Sequence, residues 1–129
     1  METASYTVGI LRAFVAQHRL FGADWGRENQ PHSHHYRLEA VFEGDSLDEH
    51  GYLIDISVIE PRLDALVERY RDRMLNELPE LEGKNPGLER FARVLADRLV
   101  DGLAPGHVRA VTIKLWENET AFATCHRRL

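Results

Sequence analysis

The hydrophobic period of this chain changes twice along its length, and that change limits the folds open to it more than any single motif does. Over residues 5–16 the sequence alternates, with Tyr6, Val8, Ile10 and Phe14 on one side and Leu11, Ala13 and Val15 on the other. Successive side chains of a pleated backbone project to opposite faces, so period two predicts a strand. A second strand is expected over about 34–43, where Tyr36, Leu38, Ala40 and Phe42 share a face with His34 while Arg37, Glu39 and Glu43 oppose it. Between the two, 21–31 is rich in Gly, Asp and Asn and reads as a loop.

The period then lengthens. Over 57–75 the apolar residues Ile59, Leu63, Leu66, Val67, Tyr70 and Met74 recur at helical spacing. Ser57 with Glu60 resembles a capping box, Pro61 falls in the first turn where proline is tolerated, and Asp55 is expected to cap or anchor the helix start. A second helix is expected over 86–102, burying Leu88, Phe91, Ala92, Leu95 and Leu99, with Asn85 as its cap. Alternation returns from Val108 to Trp116, and a turn near 117–120 leads into 121–127, a C-terminal hairpin. The order β-β-α-α-β-β predicts an α+β unit spanning 1–129 as one domain: a four-stranded antiparallel sheet with two helices on one face. Such a sheet has two edges and a bare face to protect, which favours assembly of several copies.

Charge and composition exclude some functions. The net charge of −5 gives a mean field that repels DNA and RNA, so no nucleic-acid partner is expected. Local basic positions, Arg19, Arg27, Lys84 and Arg127 with Arg128, remain able to hold the phosphates of a small anion. No apolar run is long enough for a membrane span. The first six residues carry neither a basic leader nor an apolar segment, and the single cysteine, Cys125, suits a reducing compartment, so a cytoplasmic location is expected.

Three histidines carry the chemical signal. His32 and His34 are two positions apart, so on a strand both rings lean to one face about 6–7 Å apart along the backbone, while His35 faces away. His18 lies fourteen positions before His32, at the end of the first alternating stretch. Neutral imidazole nitrogens bind zinc at about 2.0–2.1 Å, and a site with three protein ligands keeps one position open for water or substrate.

Taken together, these residues resemble the 6-pyruvoyltetrahydropterin synthase and 6-carboxytetrahydropterin synthase family over nearly the whole chain. Residues 14–20, ending Gln17-His18-Arg19-Leu20, are similar to the family's first strand end with its metal histidine, and 32–36 to its His-Gly-His-x-Tyr motif. Residues 51–56 resemble its Gly-Met-x-x-Asp-Phe stretch, Leu75-Asn76 its Leu-Asn pair, Asn85-Pro86 with Glu89 its Pro-Thr-x-Glu helix start, and Trp116-Glu117 its strand-end, pterin-binding glutamate.

The resemblance implies a tunnelling fold in which subunits close a barrel as trimers or hexamers, with active sites between subunits. It implies a zinc-dependent lyase of pterin biosynthesis acting on dihydroneopterin triphosphate, in a queuosine or folate pathway, with His18, His32 and His34 as zinc ligands and Glu117 and Glu89 as substrate contacts. The chain departs from the family at the catalytic base. Glu28 stands where the family has a cysteine, Arg71 and Asp72 stand where it has Asp-His, and Gly87 replaces the threonine of Pro-Thr-x-Glu. Glu28 is then the candidate base, with Asp72 assisting. Glutamate in the cysteine slot is a family variation linked to side-chain cleavage giving 6-hydroxymethyl-dihydropterin for folate synthesis. A non-catalytic oligomer that binds zinc and pterin is one alternative, and a zinc hydrolase of a different small substrate, which would not require Glu117, is another.

Overall fold

The structure, a computed structural model, describes residues 3–129; Met1 and Glu2, part of the N-terminal stretch read above for a leader, lie outside the described residues. Its elements are β1 (Tyr6–His18), β2 (His32–Gly44), α1 (Ile56–Tyr70), α2 (Leu88–Val100), β3 (Ala110–Trp116) and β4 (Phe122–Arg128). The strands form one antiparallel sheet in the order β1-β2-β3-β4, as the alternation predicts.

Phe14, Ala16, Tyr36, Leu38, Ala40 and Phe42 point to the face covered by the helices and are almost wholly buried there, whereas Leu11, Arg37 and Phe122 on the opposite face are exposed. From α2, Phe91, Leu95 and Leu99 enter the same core, and from α1 come Ile59, Leu63 and Tyr70. Burying side chains of this size stabilises by about 1.5–3 kcal/mol each relative to exposure, so this layer specifies which face of each strand turns inward. Phe91 lies at the centre of an aromatic group, with ring centroids 5.1 Å from Tyr70, 5.2 Å from Tyr36 and 6.1 Å from Phe14. Edge-on contacts of this kind fix relative orientation as well as burying area. They tie both helices to the end of β1 and β2 that carries the histidines.

The boundaries differ from the sequence expectations in instructive ways. β1 runs on to His18 and β2 begins at His32, because the two strands stay in register through thirteen pairs from Tyr6 opposite Gly44 to His18 opposite His32. α1 stops at Tyr70, not near residue 75. The amide of Asp72 donates to Val15 O at 2.7 Å and Arg73 O accepts from Gln17 at 2.9 Å, so the chain leaves the helix to pair with the edge of β1. Asp72 makes that exit in the left-handed region at φ 59°, which aspartate tolerates better than most residues. Met74, read as a helix-face residue, instead bridges Gln17 in parallel, and short 3-10 turns follow at Leu75–Glu77 and Pro79–Leu81.

Helix starts differ as well. Asp55 caps α1 as expected, its carboxylate accepting from the Ser57 amide at 2.9 Å, and it takes the place of the Ser57–Glu60 box. α2 begins at Leu88 with Gly87 as its cap residue and no capping side chain. Asn85 is occupied elsewhere.

Candidate metal centre

Antiparallel register places His18 directly opposite His32, and His34 opposite Ala16 on the same face. The three rings converge, with centroids 4.5, 4.8 and 4.9 Å apart and each pair close to perpendicular. Edge-on imidazoles aim nitrogens at a common point.

Hydrogen bonds at the far side of two rings settle which nitrogen is available. His18 Nδ1 lies 2.8 Å from Pro86 O, and His32 Nδ1 lies 2.7 Å from Gln30 O. A carbonyl oxygen can only accept, so each Nδ1 carries a proton and Nε2 is the nitrogen left to offer a lone pair to a metal. The Nε2 atoms of His18, His32 and His34 are all buried and have no hydrogen-bond partner. Such atoms normally cost free energy unless something satisfies them. His18 itself is only 3% exposed, and that burial, with the neighbouring His34 and His32, lowers its basicity and keeps it in the neutral, ligand-competent form.

Glu28 completes the cluster. One ligand atom from each of His18, Glu28, His32 and His34 lies within 4.8 Å of every other. Two nitrogens bound to a tetrahedral zinc stand about 3.3 Å apart, so a small contraction would seat an ion among them. Hard carboxylate with borderline imidazole is a donor set zinc accepts. On the criterion of three buried lone pairs facing one point, the residues fit a divalent cation.

The loop that holds Glu28 is braced by asparagines. Asn85 meets Phe21 on both sides, its Oδ1 accepting from the Phe21 amide at 2.8 Å and its Nδ2 donating to Phe21 O at 2.9 Å. Asn76 does the same to Arg19, at 2.9 Å in each direction. Asn29 donates to Leu20 O and Ala23 O and accepts from Trp25. Glu28 then sits in the 3-10 turn Gly26–Asn29, with its carbonyl accepting from the Leu20 amide at 2.8 Å. Sequence reasoning missed these clamps; the only local signal was Asn-Pro before a helix, which read as a cap.

Glu117 leaves the end of β3 toward the cluster, its Oε2 3.9 Å from His34 Nε2. Beside it, His34, Tyr36, Trp116 and Glu117 line a concavity. Trp116 is held by its indole N–H donating to Glu39 and by the Arg37 guanidinium 4.7 Å over its ring. The structure does not bring the other two predicted site residues to the histidines within one chain. Asp72 is exposed at the turn after α1, and Glu89 is exposed in the first turn of α2, in a concavity with Arg90 and Arg93. His35 is exposed on the opposite face, as expected.

The model of one protein family, 6-pyruvoyl tetrahydropterin synthase, matches residues 7–128. The chain belongs to that family. Solved structures of 6-pyruvoyl tetrahydropterin synthases share the fold. The enzyme from Caenorhabditis elegans is 19% identical, with 97% of each chain covered and a TM-score of 0.82. That from Plasmodium falciparum is 15% identical, covering 97% of this chain and 99% of the other, at 0.78. A Plasmodium vivax 6-pyruvoyltetrahydropterin synthase, solved as a catalytic-residue mutant in which glutamate is changed to cysteine, is 14% identical over 98% of this chain and 99% of the other, at 0.80. No curated protein sequence matches the chain significantly. The four-stranded sheet with two helices is thus the tunnelling fold of the 6-pyruvoyl tetrahydropterin synthase family, and membership supports an activity of the tetrahydropterin synthase type. Among the described residues no helix is long and apolar enough to cross a membrane.

Proposed function

We propose that this protein is a zinc-dependent lyase of pterin biosynthesis acting on dihydroneopterin triphosphate or a close relative. The observation that carries the proposal is the convergence of three unpartnered, buried Nε2 atoms beside a carboxylate in a chain of this family. His18, His32 and His34 would hold the ion, which when bound supplies Lewis-acid polarisation of substrate oxygens.

The chain's own carboxylates divide the remaining work. The pyrimidine edge of a pterin offers two adjacent N–H donors, and Glu117, half-turned toward His34, can accept both in a charge-assisted pair. That contact fixes which substrate atoms reach the histidines. Glu28, beside His32, is the general base that takes a proton from the substrate side chain. The Plasmodium vivax relative is described as having a glutamate at a catalytic residue, which supports the assignment. Asp72 as an auxiliary proton carrier and Glu89 as a substrate contact would act on a neighbouring copy's site, in a trimer or hexamer closed through β4 and the stretch of the β1 edge that residues 72–74 leave uncovered. A second reading, cleavage of the side chain to give 6-hydroxymethyl-dihydropterin, is favoured by the position of Glu28 within the cluster, since glutamate in the cysteine slot is the family variation linked to that product.

The test is direct. Protein, zinc and dihydroneopterin triphosphate are incubated and the pterin product is identified by chromatography. Unchanged substrate rejects the activity, and the product distinguishes the two readings. Glu28→Gln should abolish turnover; full activity would reject the base assignment.

A further inference from the structure

We infer that Glu28 is a fourth ligand of the metal in the substrate-free protein, so that an incoming ligand must displace its carboxylate before it can reach the ion. This rests on the metal-binding reading above and extends it. The geometry that carries it is the contact between Glu28 Oε2 and His32 Nε2, 2.8 Å long. At that distance a hydrogen bond would be ordinary, yet His32 Nε2 has no aligned hydrogen-bond partner. Its ring proton is committed on the other side, to Gln30 O. The carboxylate oxygen thus stands beside the Nε2 lone pair and out of hydrogen-bond line, and the ligand atoms of His18, Glu28, His32 and His34 all lie within 4.8 Å of one another, the disposition of donors around a shared cation. The same cation would satisfy His18 and His34, whose Nε2 atoms are equally bare.

Only the side chain of Glu28 is free to exchange. Its backbone is tied through Leu20 and Trp25, and the neighbouring Asn29 closes the loop onto Leu20 and Ala23. The side chain nonetheless remains 48% exposed, so rotation about its own torsions carries the carboxylate off the ion into solvent without moving the main chain. One carboxylate cannot ligate the metal and accept a proton at once. Displacement by substrate would release it as a base only when something is there to deprotonate.

The experiment uses the full-length protein stripped of metal and reloaded with cobalt(II), whose visible absorption reports its ligands. Imidazole, a neutral ligand, is titrated into the wild-type protein and into Glu28→Gln, Glu28→Ala and Glu28→Asp. Removal of a competing ligand should lower the half-saturating imidazole concentration about tenfold or more in the Gln and Ala variants and change the spectrum before imidazole is added. Glu28→Asp keeps the charge but loses the reach, so it should behave like Gln; if it behaves like wild type, a purely electrostatic effect is indicated and ligation is overturned. Equal imidazole affinities and identical starting spectra across the series also overturn the inference while leaving the metal reading intact. Failure of the wild-type protein to take up cobalt overturns both. Because no substrate is turned over, loss of activity in Glu28→Gln alone does not decide the outcome.

Discussion

Asn85 offers a sharp test of how the site is held. A capping role and a clamping role predict opposite results for one substitution. As a cap, Asn85→Asp would be nearly neutral, since aspartate caps as well as asparagine. As a clamp on Phe21, the same change keeps the acceptor for the Phe21 amide but replaces the donor to Phe21 O with a second oxygen. One hydrogen bond worth about 1 kcal/mol is lost, and a part-buried carbonyl is left facing a like-signed oxygen, adding about 1–2 kcal/mol. Asn85→Ala removes both bonds and leaves two main-chain groups unpaired, for about 2–3 kcal/mol. With a urea dependence of about 1–3 kcal/mol per molar, either variant should lower the unfolding midpoint by about 1 M. Midpoints would be read by circular dichroism at pH 7, with Asn76→Ala as a parallel clamp on Arg19. An Asn85→Asp protein as stable as wild type would refute the clamp.

Metal-free protein should gain stability on zinc addition, by about 4 kcal/mol when free zinc exceeds its dissociation constant a thousandfold; His18→Ala should abolish that increment, and a melting temperature insensitive to zinc would contradict the site. Gly44→Ala should destabilise by about 2–3 kcal/mol in thermal unfolding, because a Cβ there overlaps the carbonyl oxygen of His107 and stands 2.7 Å from Leu53 Cδ1. Glu80 receives two hydrogen bonds from Arg69 and one from Tyr70, with Arg98 at 3.0 Å, and Arg69 above all pulls its pKa down from 4.5 to about 2. A depressed carboxyl contributes stability that is complete above the unfolded value and fades as pH falls through the folded one. Since Arg69 and Arg98 are over a third exposed, Glu80→Gln should cost about 1–2 kcal/mol at pH 7 and nearly nothing at pH 2, measured by urea unfolding across that window.

How much of this was legible in the sequence depended on the range of the interaction. Alternation over 5–16 and 34–43 gave both strands their inward faces, because that periodicity is local and the core enforces it. The convergence of His32 and His34 followed from spacing alone, but His18 needed the register, which only pairing supplies. The end of α1 was not legible: 71–75 continues the helical apolar pattern, and only the edge of β1, more than fifty positions earlier, draws the chain out of it. Asn76 and Asn85 were invisible for the same reason, since their partners lie 57 and 64 positions away. Glu28 has no local signal at all; its place was read from resemblance, and its proximity to His32 is set by a loop whose bracing residues are those same asparagines.

Placing the three imidazoles on strands and the carboxylates on connections has a physical consequence. A slip of one residue between β1 and β2 would turn His32 and His34 to the bare face, but it would turn Tyr36, Leu38, Ala40 and Phe42 outward with them. Exposing Tyr36, Leu38 and Phe42 alone would cost more than about 5 kcal/mol, a large part of the stability of a domain this size. The hydrophobic core thus guards the metal geometry, and nothing in the chemistry of the histidines has to. Glu28 and Glu117 carry no such guarantee: one sits in a 3-10 turn and the other just beyond β3, each with a side chain partly open to solvent. The histidines should therefore keep their positions through a reaction cycle while the carboxylates move, which is the behaviour required of groups that must release one partner to bind the next.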